Sequence, residues 1–347
     1  MKTPGAIAGL CITVVASLAV AASAYAQSMA DMAHYSGPDR TQRLIDGAKK
    51  EGAVTLYSSA PVADTTAITE AFTKKYGVPV RLWRGSSEDI LRRAVTEARG
   101  SRYDVDVAET AGTEMEGLER EKLLAEISSP VFAQLVPQAV VPHRGWVTDR
   151  LSIFTAAYNT TLIHPADVPK SYEDLLDPKW KGKLGIEADD ANWFMAVADL
   201  MGEAKALALF RKIAATNGMS LRKGHTLLAN LVVAGEVPLG LTVYGYRVTE
   251  LKRRSAPIDG VVLPPGLALP TGIAVFNKAP HPNAALLFMD FYLTDGERIL
   301  AELGNVPTNR TVQELPPGLT FVNVAQFLNH EDKWTKLFKE TFAGGGP

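Results

Sequence analysis

The sequence predicts an α/β fold made of two lobes, each a mixed sheet flanked by helices. Short apolar segments alternate with amphipathic ones, and this alternation stops and later resumes. Two segments, 145–151 and the proline-rich 263–270, are candidate crossings between the lobes. Two crossings mean that a late segment of the chain completes the first lobe. The predicted lobes are residues 27–146 with 271–305, and residues 147–270 with 306–347.

In the first half, strands and helices alternate regularly, which predicts a parallel sheet. Gly52 and Gly77 each end a run of apolar residues at helical spacing. Ser86 and Asp89 have the spacing of a capping box that opens a third helix. The predicted helices are 40–51, 63–76 and 88–99, and the predicted strands are 54–59, 78–83 and 103–108.

The alternation resumes after residue 150. Apolar runs predict further strands, and apolar residues three and four apart predict further helices, one of which ends at Gly235. The predicted strands are 151–158, 183–186, 237–243 and 272–276. The predicted helices are 191–201, 203–216, 225–234, 282–293 and 295–303.

The N-terminus has the layout of a secretory signal peptide. A lysine at position 2 precedes the apolar run 7–20, and small residues at 24 and 26 suit cleavage before Gln27. A membrane anchor is the alternative, but the apolar run is short for a span. Lipid modification of Cys11 does not fit, because a bulky leucine precedes it and the apolar run continues after it. We therefore predict export to the periplasm.

Composition limits the function further. Cys11 is the only cysteine, so the exported chain has no disulfide and no thiol chemistry. A formal net charge of −2 over 347 residues gives no reason to expect nucleic acid or an anionic membrane as a partner. After Gln27 no apolar run is long enough to span a bilayer. We predict a soluble periplasmic monomer.

Several motifs then match a known family in order along the chain. They are GAKKEG at 47–52, YEDLLDPKWKGKLGI at 172–186, GEVPLGL at 235–241, GIAV at 272–275 and APHPNA at 279–284. With these motifs the chain resembles the periplasmic solute-binding proteins of ABC importers, in the iron(III)-binding class of extracellular solute-binding protein family 1. The resemblance implies a two-lobed type II periplasmic binding fold that closes on its ligand by hinge motion. It also implies a small-molecule or metal ligand and an ABC permease in the inner membrane as partner.

The iron site of that class is only partly matched. The resemblance implies Tyr246 and Glu109 as metal ligands, but Gly245 stands where the class has a first tyrosine. The histidine that some members place after the first strand is absent from 58–61. Ferric iron prefers several anionic oxygen ligands. Two ligand classes therefore stay open, ferric iron as transported cargo and a small organic ion, and no resident cofactor is expected.

Ligands of open α/β sheets bind at the carboxyl ends of strands, near helix N-termini. That rule selects Ser59, Arg84, Ser86, Ser87, Glu109, Asp189, Asn192, Trp193, His225, Tyr244, Tyr246, Arg247 and Thr271 as candidate ligand contacts. Each also has a structural interpretation. Ser86 or Ser87 can cap a helix, Trp193 can be core, and Arg247 can join the lobes.

Solute binding for transport is the predicted function. A signalling receptor of the same fold is a close alternative, and a periplasmic enzyme is an alternative from another class. Six histidines are scattered without a metalloprotease or paired metal spacing, and no GxSxG motif is present. We therefore predict that the chain is not an enzyme and has no catalytic residues.

Overall fold

The computed structural model describes residues 31–343 of the chain. The predicted signal peptide lies outside the described residues. The helices are α1 (Arg40–Glu51), α2 (Val62–Tyr76), α3 (Ser87–Arg99), α4 (Gly112–Arg120), α5 (Ala191–Met201), α6 (Glu203–Asn217), α7 (His225–Ala234), α8 (Gly245–Arg253), α9 (Pro282–Phe291), α10 (Glu297–Leu303), α11 (Val324–Asn329) and α12 (Glu331–Phe342). A π-helical turn, Tyr292–Gly296, joins α9 to α10.

The strands are β1 (Val54–Ser58), β2 (Val80–Arg84), β3 (Val107–Ala111), β4 (Val147–Asn159), β5 (Leu184–Glu187), β6 (Ser220–Arg222), β7 (Leu239–Tyr244), β8 (Ile258–Val261), β9 (Gly266–Val275), β10 (Val306–Pro307) and β11 (Leu319–Phe321). Short 3₁₀ turns lie at Pro130–Gln134, Pro137–Ala139, Pro165–Asp167, Glu173–Leu176 and Pro178–Trp180.

The strands follow the order β2-β1-β3-β9-β4-β7-β5-β6. Strand β1 pairs in parallel with β2 and β3, and β5 pairs in parallel with β6 and β7. Between these two parallel groups, β4 and β9 pair with each other and are antiparallel to their neighbours. The result is two mixed α/β sheets, one in each lobe, as the sequence predicts.

Two long strands connect the lobes. Residues 147–153 of β4 pair with β9 of the first lobe, whereas residues 154–159 of the same strand pair with β7 and β8 of the second. Gly112 packs against β9 here, and a Cβ at this position would lie 2.8 Å from the Pro270 carbonyl oxygen. The tight packing fixes α4 against the crossing strands. The exact residue limits of the lobes stay predictions.

Each lobe has its own aromatic core. In the first lobe Phe72 packs edge-to-face on Phe288 and Phe291. In the second lobe Phe194 packs on Phe342, which brings the C-terminal helix α12 against α5. Over residues 31–343, none of the helices combines the length and the apolar character that crossing a membrane would require.

Candidate functional site

A cleft of about 760 Å³ lies between the lobes, where the carboxyl ends of the strands face each other. The first-lobe wall is made by the starts of three helices, with Ser59, Pro61, Ser86, Ser87, Thr113 and Glu114. The floor comes from the crossing strands and their neighbours, with Arg150, Ser152, Leu269, Thr271 and Asn305. Helices α11 and α12 add Phe327, Glu331, Thr335, Phe338 and Lys339 at one side.

The second-lobe wall is made by three chain segments that follow strands. They contribute residues 187–192 between β5 and α5, residues 223–226 at the start of α7, and Tyr244 with Tyr246 at the start of α8. Nine of the thirteen residues predicted from the sequence therefore line this cleft. They are Ser59, Ser86, Ser87, Asp189, Asn192, His225, Tyr244, Tyr246 and Thr271.

Ser86 and Asp189 are two of the nine that already have a polar partner. Ser86 caps α3: its hydroxyl accepts from the Asp89 backbone N–H at 3.1 Å, and the Asp89 carboxylate accepts from the Ser86 N–H at 3.4 Å. Asp189 lies at the exposed rim, where its carboxylate is 3.5 Å from Lys223 Nζ. The capping box is confirmed, and the Ser86 hydroxyl is already engaged in it.

The two predicted arginine contacts lie outside the cleft lining. Arg84 is on the edge strand β2, exposed, and its Nε donates to the Ala60 carbonyl. Arg247 points along its own helix and forms an ion pair with Glu250. In both cases the guanidinium already interacts with an acceptor on its own lobe, so neither arginine is available to bind a ligand in the cleft.

Glu109 lies beneath the cleft floor and is fully buried. Its Oε1 is 2.5 Å from Nη2 of Arg150, and its Oε2 accepts from the Ser58 hydroxyl and from the Ala60 N–H. Strand alternation explains the position, because the side chain points from β3 into the interior, towards Arg150 on β4. The structure gives Glu109 an internal partner, so it does not face the cleft as the sequence-based metal assignment requires.

Trp193 is core rather than cleft. It is 0% exposed, and its ring packs 5.4 Å from Phe210 and 5.8 Å from Tyr172, measured between centroids. Asn192, one residue earlier, lines the cleft, because successive residues of a helix point about 100° apart. Trp193 is therefore a core residue, which was the structural alternative to a ligand contact.

The two tyrosines of the second wall lie side by side. The rings of Tyr244 and Tyr246 are 5.9 Å apart and nearly parallel. Burial raises the pKa of both hydroxyls above the usual 10, so both keep their protons at neutral pH. Between them, Gly245 packs on β4, and a Cβ there would lie 3.1 Å from the Thr155 hydroxyl. That close approach leaves little room for an additional side chain at this position.

His225 is held in one orientation. Its Nδ1 is 2.9 Å from the Thr242 carbonyl oxygen, and because a carbonyl only accepts, Nδ1 must donate. Its ring stacks on Tyr244 with a centroid separation of 3.7 Å. Burial lowers the pKa of His225 to about 4. The imidazole is therefore neutral, and its Nε2 lone pair points to Asp190, whose Oδ1 is 3.5 Å away.

Glu187 and Asp190 place two buried carboxyl groups beside that lone pair. Glu187 accepts from the backbone N–H groups of Gly224 at 2.8 Å and Asp189 at 2.6 Å. The Oδ2 of Asp190 has no hydrogen-bond partner among residues 31–343. Burial is the main cause that raises the pKa of each, and for Asp190 the nearby Glu187 charge adds to it. This part of the wall is thus rich in acceptors, and the cation of the wall, Lys223, lies beside the exposed Asp189 instead.

Of the nine charged residues that line the cleft, only Asp189 was predicted from the sequence. Glu187 ends β5 and satisfies the strand-end rule, but the rule was applied only to the residues that follow it. Arg150 was inside a predicted crossing. Glu114 lies in the first turn of α4, a helix that was not predicted because β3 was placed too early, at 103–108 instead of Val107–Ala111.

Glu114 should make stability depend on pH. Burial raises its pKa to about 7, above the ~4.3 of an unfolded glutamate. Its contribution to stability is therefore complete below about pH 4.3 and lost as the pH rises towards 7. We expect Glu114→Gln to gain stability relative to the wild type, on the order of 2 kcal/mol, between pH 4.5 and 8, measured by urea unfolding. The exposed Glu173→Gln is the control, and a pH-independent difference would contradict the assignment.

The charges lining the cleft are unbalanced. Among its described lining residues six carry carboxyl groups, Glu88, Glu114, Glu187, Asp189, Asp190 and Glu331, and three are cationic, Arg150, Lys223 and Lys339. Arg150 is already paired with Glu109 and Asp149, and Lys223 is near Asp189. An excess of carboxyl groups in the cleft favours a positively charged occupant.

Two α/β lobes that are joined by crossing strands and enclose a polar cleft define a type II periplasmic binding protein. The model of the family described as "Bacterial extracellular solute-binding protein" matches residues 58–299, well over half of the chain. The chain belongs to that family. The predicted family, fold and general function, capture of a small solute as the binding component of an ABC transporter, are confirmed at this level.

Individual relatives differ in what their names say they bind. The "Fe(3+)-binding periplasmic protein" of Serratia marcescens is 26% identical over 264 residues, which cover 73% of this chain and 77% of that protein. A Salmonella typhimurium protein, named as a candidate 2-aminoethylphosphonate-binding periplasmic protein, is 28% identical over 237 residues, 65% of this chain and 67% of that one. The crystal structure of iron-bound HitA from Pseudomonas aeruginosa has a TM-score of 0.70 at 24% identity and covers 83% of this chain and 99% of HitA. At that identity the likeness supports the fold alone.

Proposed function

We propose that this protein is the periplasmic binding component of an ABC importer for a small solute that carries a positive charge. It captures the solute in the cleft and delivers it to an inner-membrane permease without chemical turnover. The observation that carries the proposal is the pair of buried carboxyl groups, Glu187 and Asp190, which have no lysine or arginine partner among residues 31–343. Removing such groups from water is unfavourable unless a partner compensates them. A cationic solute supplies that partner.

The relatives support the same chemistry. Ferric iron and 2-aminoethylphosphonate differ in size, but the first is a cation and the second carries an amine. Glu114 on the first-lobe wall and Asp190 on the second both influence Tyr244 electrostatically, so acidic groups of both lobes act on the same part of the cleft. Without a ligand these groups repel each other and favour an open cleft. A cation between them stabilises the closed form.

A matched pair of solutes tests the charge requirement. The mature protein from Gln27 is mixed with 2-aminoethylphosphonate or with ethylphosphonate, which lacks the amine, and with ferric citrate or citrate alone. We expect only 2-aminoethylphosphonate and ferric citrate, the two solutes with a positive centre, to raise the melting temperature. A ligand at 100 times its Kd adds about 2.7 kcal/mol to stability. Equal stabilisation by the anionic controls would overturn the proposal. Native mass spectrometry of the protein as purified identifies any retained solute.

Asp190→Asn tests the site. The substitution keeps the shape of the side chain and removes its charge, so the cationic solute should lose at least tenfold in affinity, measured by calorimetry. Asp167→Asn is the matched control, because Asp167 is an exposed carboxylate of the second lobe paired with Lys179 outside the cleft. Unchanged affinity in Asp190→Asn would remove Asp190 from the site. Permease-dependent uptake in cells distinguishes transport from signalling.

A further inference from the structure

Three potential metal ligands meet on the second-lobe wall. Glu187 ends β5, Asp190 immediately precedes α5, and His225 is the first residue of α7. One ligand atom from each lies within 4.8 Å of the other two. None of the three is one of the residues that the sequence comparison with iron-binding proteins selected, so this cluster is separate from that partial match.

The imidazole of His225 is already oriented to act as a metal ligand. A metal-binding histidine usually donates its other ring N–H to a carbonyl or carboxylate, which fixes the tautomer and the orientation. His225 makes that bond from Nδ1 to the Thr242 carbonyl at 2.9 Å. Stacking on Tyr244 limits rotation of the ring. The free lone pair on Nε2 consequently faces the carboxyl groups.

The two carboxyl groups complete the donor set. Backbone N–H groups of Gly224 and Asp189 hold Glu187 in place, as second-shell hydrogen bonds do in metal sites. Asp190 is 3% exposed and lines the cleft, and its Oδ2 lacks a partner among the described residues. An unpartnered buried oxygen beside a free imidazole lone pair is an arrangement that a bound cation resolves.

The spacing of one donor pair can be compared with the spacing that two kinds of cation require. Nε2 of His225 and Oδ1 of Asp190 are 3.5 Å apart. Two ligands at a tetrahedral angle around a metal ion, each about 2.1 Å from it, are about 3.4 Å apart. Two acceptors around one ammonium group, each about 2.9 Å from the nitrogen, are about 4.7 Å apart. The separation of this pair matches the metal value, and all three donor atoms lie within 4.8 Å of one another.

We infer that Glu187, Asp190 and His225 form a binding site for a divalent transition-metal ion, which is the positive centre of the transported solute. This inference rests on the proposed function. Two carboxylates and one neutral imidazole give the site a charge of −2 once the metal has displaced any protons, which balances a divalent ion. Imidazole with carboxylate ligands suits zinc and similar metals of the first transition row. The three donors include no tyrosinate, so their combined charge matches a divalent rather than a trivalent ion.

Titration of the full mature chain with metal ions tests the inference. After dialysis against a chelator, the protein is titrated with Zn²⁺, Mn²⁺ and Co²⁺ in a calorimeter. We expect one equivalent to bind, and the Co²⁺ complex to show the visible absorption of a cobalt ion with mixed nitrogen and oxygen ligands. Ferric citrate should produce no tyrosinate-to-iron absorption band. A strong band of that kind would assign the metal to the tyrosines and overturn the inference.

Variants locate the ion. His225→Gln and Asp190→Asn should each weaken Zn²⁺ binding by 10-fold to 100-fold, whereas the exposed His34→Gln should bind as the wild type does. If zinc binding is equal in all four proteins, the cluster is not the site. The outcomes also separate the two proposals. Loss of 2-aminoethylphosphonate binding in Asp190→Asn, with no specific metal binding, refutes the metal site and keeps the cationic-solute function. Absence of binding by any cation refutes both.

Discussion

Trp193→Ala is expected to lower the free energy of unfolding by about 3–5 kcal/mol. The indole is fully buried in the aromatic core of the second lobe, between Tyr172 and Phe210. Truncation to a methyl group removes this contact area and leaves a cavity that the surrounding rings cannot fill by small movements. Guanidinium unfolding followed by far-UV circular dichroism measures the effect.

The control for this substitution lies in the same helix. Leu200 is 48% exposed, so Leu200→Ala should change the unfolding free energy by no more than about 0.5 kcal/mol. Trp193→Phe, which retains an aromatic ring, should fall between Trp193→Ala and the wild type. If Trp193→Ala keeps the unfolding free energy of the wild type but loses solute affinity, then Trp193 is a ligand contact, as the strand-end rule predicted.

Most of the fold could be predicted because local signals agree with it. The helices at 40–51, 191–201 and 225–234 have the predicted limits, since a positive-φ glycine follows each of them and no L-residue is equally tolerant there. Strand β3 was predicted too early, at 103–108. There Asp104 and Asp106 alternate with apolar residues and imitate a half-buried strand, although the ladder to β9 begins at Val107.

Residues of the site could be predicted only where their position at the end of a strand is enough to place them in the cleft. The strand-end rule found Ser59, His225 and Tyr244, because the carboxyl ends of the strands face the cleft in both lobes. It failed for Glu109, whose side chain points from the strand into the interior towards Arg150. The rule cannot tell which carboxylate a distant arginine pairs with, because that depends on how β9, which lies between β3 and β4, positions the two strands. Tertiary contacts of this kind are absent from a single sequence.

Arg150→Met is expected to destabilise the protein by about 3–5 kcal/mol. Arg150 is a buried residue of the cleft floor. Its Nη2 is 2.5 Å from Glu109, and its Nη1 is 3.0 Å from Asp149 and 3.1 Å from the Tyr292 hydroxyl. Methionine preserves the apolar stem but leaves the Glu109 carboxylate buried without its cation. Burial raises the pKa of Asp149 and the Arg150 charge opposes that rise, so the substitution removes the cation of this second carboxyl group as well.

A double-mutant cycle isolates the pair. Arg150→Met and Glu109→Gln are measured singly and together by chemical unfolding. The double variant should lose about 2 kcal/mol less unfolding free energy than the sum of the two single losses. Arg298→Met is the control, because its ion pair with Asp295 is at the surface, and an effect below about 1 kcal/mol is expected. Additive single effects would show that the two side chains do not interact. Coupling would mean that this buried pair fixes the crossing strand β4 to β3 of the first lobe.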